Sequence, residues 1–294
     1  MSNLQITFLG TSGGVPTPKR GMPSIAIKWN GEIYLFDCGE GTQRAMMQSK
    51  VGYGSINSIF ISHLHLDHFL GVFGLIETLH LLQPSPKPIS IYAPEYFELI
   101  NKYKFITLDK IKPRGGLLLQ GNDFSISAFT VKHTKNSYGF IFKENDRRKF
   151  DEEKAHALGL QGRMFSEIQK KGSLVINGKK ILLDDVSWIK PGRKIVYSGD
   201  CAPSENLIKV AKDADLLIHE STFANDKEDE AKERMHTTSK QAAMIAKQSN
   251  VKKLVLTHIS PRYSEEESIK NLLGDAKSVF NNTIVANDGL IVEV

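Results

Sequence analysis

The sequence predicts a mixed α/β protein on three observations: strand patterns cluster like hairpins in the first half, strand and helix patterns alternate in the second, and one polar excursion lies between them. At 294 residues, 40% hydrophobic and 24% charged, the chain can bury a sizeable core, so disorder is excluded. Two cysteines exclude a disulfide scaffold. The net charge of +5 suits an anionic partner. The longest apolar stretch, 72–82, carries Glu77 and His80 and falls short of the ~20 residues of a membrane span, so no membrane partner is expected. The start, MSNLQITFLG, has no basic segment before an apolar run and reads as a first strand, not a signal peptide; the expected address is cytoplasmic.

In chain order, short runs rich in β-branched and aromatic residues predict strands over 4–9, 24–29, 58–62, 89–92, 124–131 and 138–143. Further strands follow over 173–177, 180–183, 194–198, 215–219, 253–257, 284–286 and 290–294. Apolar residues at helical spacing predict helices over 41–50, 68–82, 95–103, 151–158, 204–212, 239–249 and 265–280. Residues 143–193 differ in composition, reading KENDRRKFDEEK, then EIQKKGS, then NGKK. They are expected to protrude as an insertion within a single domain spanning 1–294, a helix followed by a small hairpin turning at Asn177-Gly178. Twelve basic against eight acidic residues in this stretch hold most of the chain's positive excess.

The strand 58–62 runs straight into His63-Leu64-His65-Leu66-Asp67-His68, four metal-ligating side chains within six positions at a strand-to-helix junction. Imidazole and carboxylate without thiolate suit Zn²⁺, with Mn²⁺ as the alternative. Four ligands so close exceed what one open catalytic site takes, so a second metal and isolated ligands at other strand ends are expected. His133, Asp200 and His258 each follow a predicted strand. Asp37, after an apolar run over 33–36, is placed to accept a hydrogen bond from the other N–H of a ligating histidine. Cys38 and Cys201 read as small buried fillers.

The run His-x-His-x-Asp-His, with Asp37 before it and His133, Asp200 and His258 after it, resembles the metallo-β-lactamase superfamily. The resemblance implies a four-layer αββα sandwich with a two-zinc site. His63, His65 and His133 would hold one metal, Asp67, His68 and His258 the other, and Asp200 would bridge. Four more segments resemble the ribonuclease Z family, the tRNA 3′-processing endonucleases. They are the stretch 7–17 (TFLGTSGGVPT), the stretch 217–222 (LIHEST), Met235-His236-Thr237-Thr238, and the insertion 143–193 in the place of that family's tRNA-gripping arm. The chain departs from the family pattern in its 16–21 loop (PTPKRG), which the family links to rejecting tRNA that already bears CCA, and in Gly162-Arg163, where a Gly-Pro element is usual.

That likeness implies a dizinc endoribonuclease, two Zn²⁺ per subunit, acting as a homodimer on precursor tRNA to leave a tRNA 3′-hydroxyl and a 5′-phosphorylated trailer. Asp67 is expected to orient and deprotonate water, and His236 to stabilise charge or protonate the leaving oxygen, oriented by Glu220. Arg147, Arg148, Lys149, Arg163, Lys170 and Lys171, with Lys179 and Lys180, are candidate RNA contacts; Lys102, Lys104, Lys110, Lys112 and Arg114 form a second basic group. The alternatives are a small-molecule phosphodiesterase or thioester hydrolase of the same fold, and a noncatalytic RNA-binding protein.

Overall fold

The structure, a computed structural model, describes residues 4–294. It divides into two compact units, residues 4–142 with Lys194–Val294, and Lys143–Arg193.

In the larger unit, one seven-stranded sheet runs in the order Ile291–Glu293, Gln5–Gly10, Ser24–Trp29, Glu32–Phe36, Ile56–Phe60, Ile89–Ala93, Ile106–Lys110. Its first four strands pair antiparallel and the rest parallel. The other seven-stranded sheet has the order Thr283–Val285, Leu254–Thr257, Leu216–Glu220, Lys194–Tyr197, Tyr138–Glu144, Phe124–Thr130, Gly116–Gln120. Successive strand residues point to opposite faces, and the central strands, such as Glu32–Phe36, Lys194–Tyr197 and Leu254–Thr257, are covered on both, so their residues are mostly apolar and buried. Phe8, Phe36, Phe60, Phe140, Tyr197 and Ile218 meet in a core contributed by both sheets. Their neighbours Leu35, Ile59 and Ile61 turn the other way, onto Val72, Leu75 and Ile76 of the helix Gly71–Leu82. Val196, Leu217 and Leu256 likewise turn onto Ala242, Ala243 and Leu272 of the helices Ser239–Gln248 and Glu266–Lys277. Three hydrophobic layers thus separate four layers of structure, the αββα sandwich of the metallo-β-lactamase fold.

The helix Gly71–Leu82 enters so close to the 38–39 turn that a Cβ on Gly71 would overlap the Gly39 carbonyl oxygen. That contact lets Cys38 N–H bond the His68 carbonyl at 2.8 Å and Gly71 N–H bond the Cys38 carbonyl at 2.9 Å, which seats the histidine motif. Gly71→Ala is expected to destabilise the protein by about 1–3 kcal/mol, as overpacking does, read as a lowered melting temperature.

The smaller unit has its own core of Ala155, Leu160, Ile168, Ile176, Ile181 and Val186. Its hairpin Ser173–Ile176 with Lys179–Leu182 turns at Asn177 and Gly178, both at positive φ (51° and 79°), the two-residue turn that Asn-Gly favours. At its base, Glu144 N–H donates to the Arg193 carbonyl at 2.9 Å and Arg193 Nε to Glu144 Oε2 at 2.8 Å, so the insertion's two ends are neighbours.

Several expectations need correction. The 95–103 segment is not a helix: only Phe97 is buried, while Tyr96 and Ile100 are 65% and 80% exposed, so no apolar face is held against the core. The helix expected over 68–82 is two, Leu66–Phe69 and Gly71–Leu82. Pattern reading missed the strands Ile106–Lys110, Gly116–Gln120, Arg147–Phe150 and Ser187–Lys190, none of which is a buried apolar run.

Candidate metal and catalytic centre

The expected ligands come together beyond the ends of four strands, Ile56–Phe60, Phe124–Thr130, Lys194–Tyr197 and Leu254–Thr257. His63, His65, His133 and Asp200 place one donor atom each within 4.8 Å of one another, as do Asp67, His68 and His258. Asp200 Oδ2 is shared: it lies 3.8 Å from His63 Nε2, 3.3 Å from His68 Nε2, 3.9 Å from His133 Nε2 and 3.2 Å from His258 Nε2. Asp67 Oδ2 is 3.5 Å from both His68 Nε2 and His258 Nε2. A third grouping, Asp200, His236 and His258, meets the same criterion.

These spacings fit a bound cation. Two ligand atoms each about 2.0–2.1 Å from zinc in a tetrahedron are about 3.3 Å apart. His63 Nε2 and Asp200 Oδ1 are buried without any hydrogen-bond partner, a costly state for polar atoms that a metal would relieve. Burial and the neighbouring His68 hold His63 well below its usual range, so it offers a lone pair. Burial alone would push the other way for Asp200, but His258 and His68 hold it well below the ordinary carboxylate range, hence ionised. Burial would depress His68 too, yet Asp200 and Asp37 raise it strongly: a site this anionic attracts a positive charge.

The rings of His133, His68 and His258 are each aimed by a partner on the other nitrogen. His133 Nδ1 donates to the Met235 carbonyl at 3.0 Å, and His68 Nδ1 to Asp37 Oδ2 at 2.8 Å. His258 Nδ1 donates to Thr222 Oγ1 at 2.8 Å, whose hydroxyl donates in turn to Glu220 Oε2 at 2.6 Å. Asp37 is fully buried and also accepts from Ser62 N–H (2.7 Å), the Ser62 hydroxyl (2.9 Å) and the Tyr197 hydroxyl (2.7 Å). Tyr197 belongs to the second sheet, so this carboxylate ties the two sheets together beneath the cluster. Asp37 and His258 both sit at positive φ (57° and 55°), a strained backbone that directs them off their strand ends. Gly13 is required beside them, since a Cβ there would lie 2.6 Å from His258 Nδ1.

His236 and Glu220 form a pair at 2.7 Å (Nδ1 to Oε1). Burial would lower His236, but the Glu220 carboxylate overrides it and lifts the imidazole to about 9. Thr238, not His236, caps the following helix, in a reciprocal capping box with Gln241. His236, Asp67, Asp200 and His258 line a cleft of about 260 Å³ with Gly13, Gly14, Arg234 and Arg262. Gly14 N–H donates to Asp67 Oδ2 at 2.9 Å.

Sequence reasoning missed Ser62, Thr222, Tyr197, Arg234 and Arg262. Thr222 sits within the quoted LIHEST segment and could have been proposed; Tyr197 reads as an ordinary core aromatic. Arg262 pairs bidentately with Glu230 at 2.9 Å and lies over the Phe223 ring. In the 16–21 loop, Arg20 is buried and bonds Thr11 Oγ1, the Ala286 carbonyl and Asn287 Oδ1, so it braces the loop internally. Cys38 and Cys201 are free and buried; burial pushes the Cys38 thiol up to about 12, which suits a filler and not a ligand.

The expected RNA contacts divide. Arg148 bonds Asp184 and Ser187, Lys171 pairs with Glu167, and Arg147 pairs with Glu144 at 3.0 Å. Lys149, Arg163 and Lys170 have no ion pair among the described residues.

The family described as tRNase Z endonuclease matches residues 14–71, and a beta-lactamase superfamily domain matches 184–259. The chain is 42% identical to a protein named Ribonuclease Z from Archaeoglobus fulgidus, over 99% of this chain and 97% of that one. It is 42% identical to another of that name from Methanosarcina acetivorans, over 99% and 98%. Among solved structures, the human tRNase Z short form superposes with a TM-score of 0.69 at 29% identity, covering 98% of each chain.

Proposed function

The chain belongs to the ribonuclease Z family of metallo-β-lactamase-fold hydrolases, and from that premise we propose that it is a zinc-dependent endoribonuclease that removes the 3′ trailer of precursor tRNA, leaving a tRNA 3′-hydroxyl and a trailer with a 5′-phosphate. The observation that carries this reading is 42% identity over an alignment that covers 99% of the chain, the cluster and the insertion included. His63, His65 and His133 would hold one Zn²⁺, Asp67, His68 and His258 a second, with Asp200 between them; Mn²⁺ suits the same donors. Bound there, two divalent ions would lower the pKa of water and offset phosphodiester charge.

The chain's own residues supply the rest. Asp67 carries a carboxylate that Gly14 N–H steadies and that His258 and His68, against the effect of burial, hold well below its usual range. It is therefore ionised and able to accept a hydrogen bond from a water and orient it for attack. His236 is committed through Nδ1 to Glu220, which leaves Nε2 to protonate or stabilise the departing 3′-oxygen. The insertion would bind the tRNA body by charge and shape, the mode by which double-helical RNA is recognised. The reading extends to a cytoplasmic homodimer; Leu81 and Leu82 are 71% and 60% exposed, apolar surface that a second copy would cover. Among the described residues no helix is long and apolar enough to cross a membrane.

The direct test is end-labelled precursor tRNA with Zn²⁺ or Mn²⁺. A single cut at the trailer boundary, abolished by chelation and restored by metal, is expected; cutting that ignores the chelator, or none with either metal, would reject the reading. Tyr197→Phe removes one of the four donors to Asp37. It is expected to weaken metal binding by roughly 10-fold, in line with other outer hydrogen-bond partners, measured by competition with a chromophoric chelator.

A further inference from the structure

The arm's two-stranded ribbon has a face that the charge runs alone did not reveal. Arg147–Phe150 pairs antiparallel with Ser187–Lys190, setting Arg147 opposite Lys190 and Lys149 opposite Trp188. Side chains alternate along each strand, so these four share one face. Exposure along the first strand agrees, with Arg147 and Lys149 exposed and Arg148 and Phe150 partly buried; on the second strand Ser187, opposite Phe150, is buried, while Ile189 of that same opposite face is 48% exposed. Arg148 bonds Asp184 and Ser187 on the other side, and Phe150 packs edge-on against Phe165 at 5.0 Å. Trp188 is 52% exposed, while the other tryptophan, Trp29, is 1% exposed.

This face carries two costs. A half-exposed indole keeps apolar area in water, and like charges directly opposite, Arg147 and Lys190, destabilise a ribbon. Glu144 at 3.0 Å offsets Arg147 only; Lys149 and Lys190 have no ion pair among the described residues. An anionic partner with flat aromatic groups relieves both costs at once, because phosphates sit between the cations while a base or ribose covers the indole. An acidic protein surface answers the charge but leaves the indole less well matched.

We propose that the Arg147, Lys149, Trp188 and Lys190 face is an RNA-binding surface, with the phosphodiester backbone between the three cations and a nucleotide packed on Trp188. The proposal rests on the reading of precursor tRNA as substrate and assigns the arm's grip to a defined ribbon face centred on an aromatic.

Because Trp29 is buried, acrylamide quenching of the whole protein's fluorescence reports Trp188. Saturating precursor tRNA is expected to reduce the quenching to the residual level of the Trp188→Phe protein. Trp188→Ala is expected to weaken tRNA binding roughly 5- to 100-fold, and Lys149→Ala and Lys190→Ala each to lower the salt slope by about one, with circular dichroism confirming an unchanged fold. Quenching unaltered by tRNA that the same preparation cleaves would overturn the proposal. So would shielding of Trp188 that grows with protein concentration in the absence of RNA, since the face would then bind a second copy. A wild-type protein that does not cut precursor tRNA fails the functional reading instead, in a separate assay.

Discussion

His236→Ala is expected to lower precursor-tRNA turnover by roughly 10²–10⁴-fold, the range that a positioned proton donor contributes, while metal content stays that of the wild type. The second measurement decides the residue's role, since Asp200, His236 and His258 are close enough to share an ion. Metal lost together with activity would make His236 a ligand; near-normal turnover with full metal would remove it from the chemistry. Glu220→Gln gives the companion test. Burial lowers His236 and Glu220 raises it to about 9, so neutralising Glu220 moves the imidazole down. A group that must be protonated to act loses function as pH rises through its pKa. The alkaline limb of the pH–rate profile should therefore shift to lower pH in Glu220→Gln, and an unmoved limb would assign that limb to another group.

Replacing residues 145–192 with a short turn should weaken precursor-tRNA binding by at least 10-fold at moderate salt, yet spare hydrolysis of a small phosphodiester such as bis(p-nitrophenyl) phosphate. The magnitude follows from charge: losing even two phosphate contacts out of several reduces affinity steeply and flattens its salt dependence. The splice is practicable because Glu144 N–H already meets the Arg193 carbonyl at 2.9 Å. Parallel loss on both substrates would show that the insertion supports the fold of the hydrolytic unit and not the grip on RNA.

The proximity of His63, His65, Asp67, His68, His133, Asp200 and His258 was legible because strand ends of a sandwich converge on one edge, and each of these residues follows an apolar run. The hydrogen bonds that aim them were less legible. Tyr197 reaches Asp37 from the opposite sheet, 160 positions away, and no local period encodes a contact across two layers. Surface strands were missed for a related reason. Arg147–Phe150 alternates exposed and half-buried residues without a run of apolar ones, so its pattern is that of a charged loop. Cationic runs misled in the same way: Arg148 and Lys171 look free in sequence but spend their charge on Asp184 and Glu167.

The adjoining ends at Glu144 and Arg193 have an entropic consequence. Closing a loop of some 48 residues instead of about four costs only about 2 kcal/mol, since each doubling adds about 0.6 kcal/mol. The insertion offsets that with an apolar cluster of its own, from Ala155 to Val186. Its length can therefore change by whole hairpins without shifting the register of the strands on either side. The insertion and the sandwich each hold an apolar core of their own, so residues can change in the first without disturbing the packing of the second.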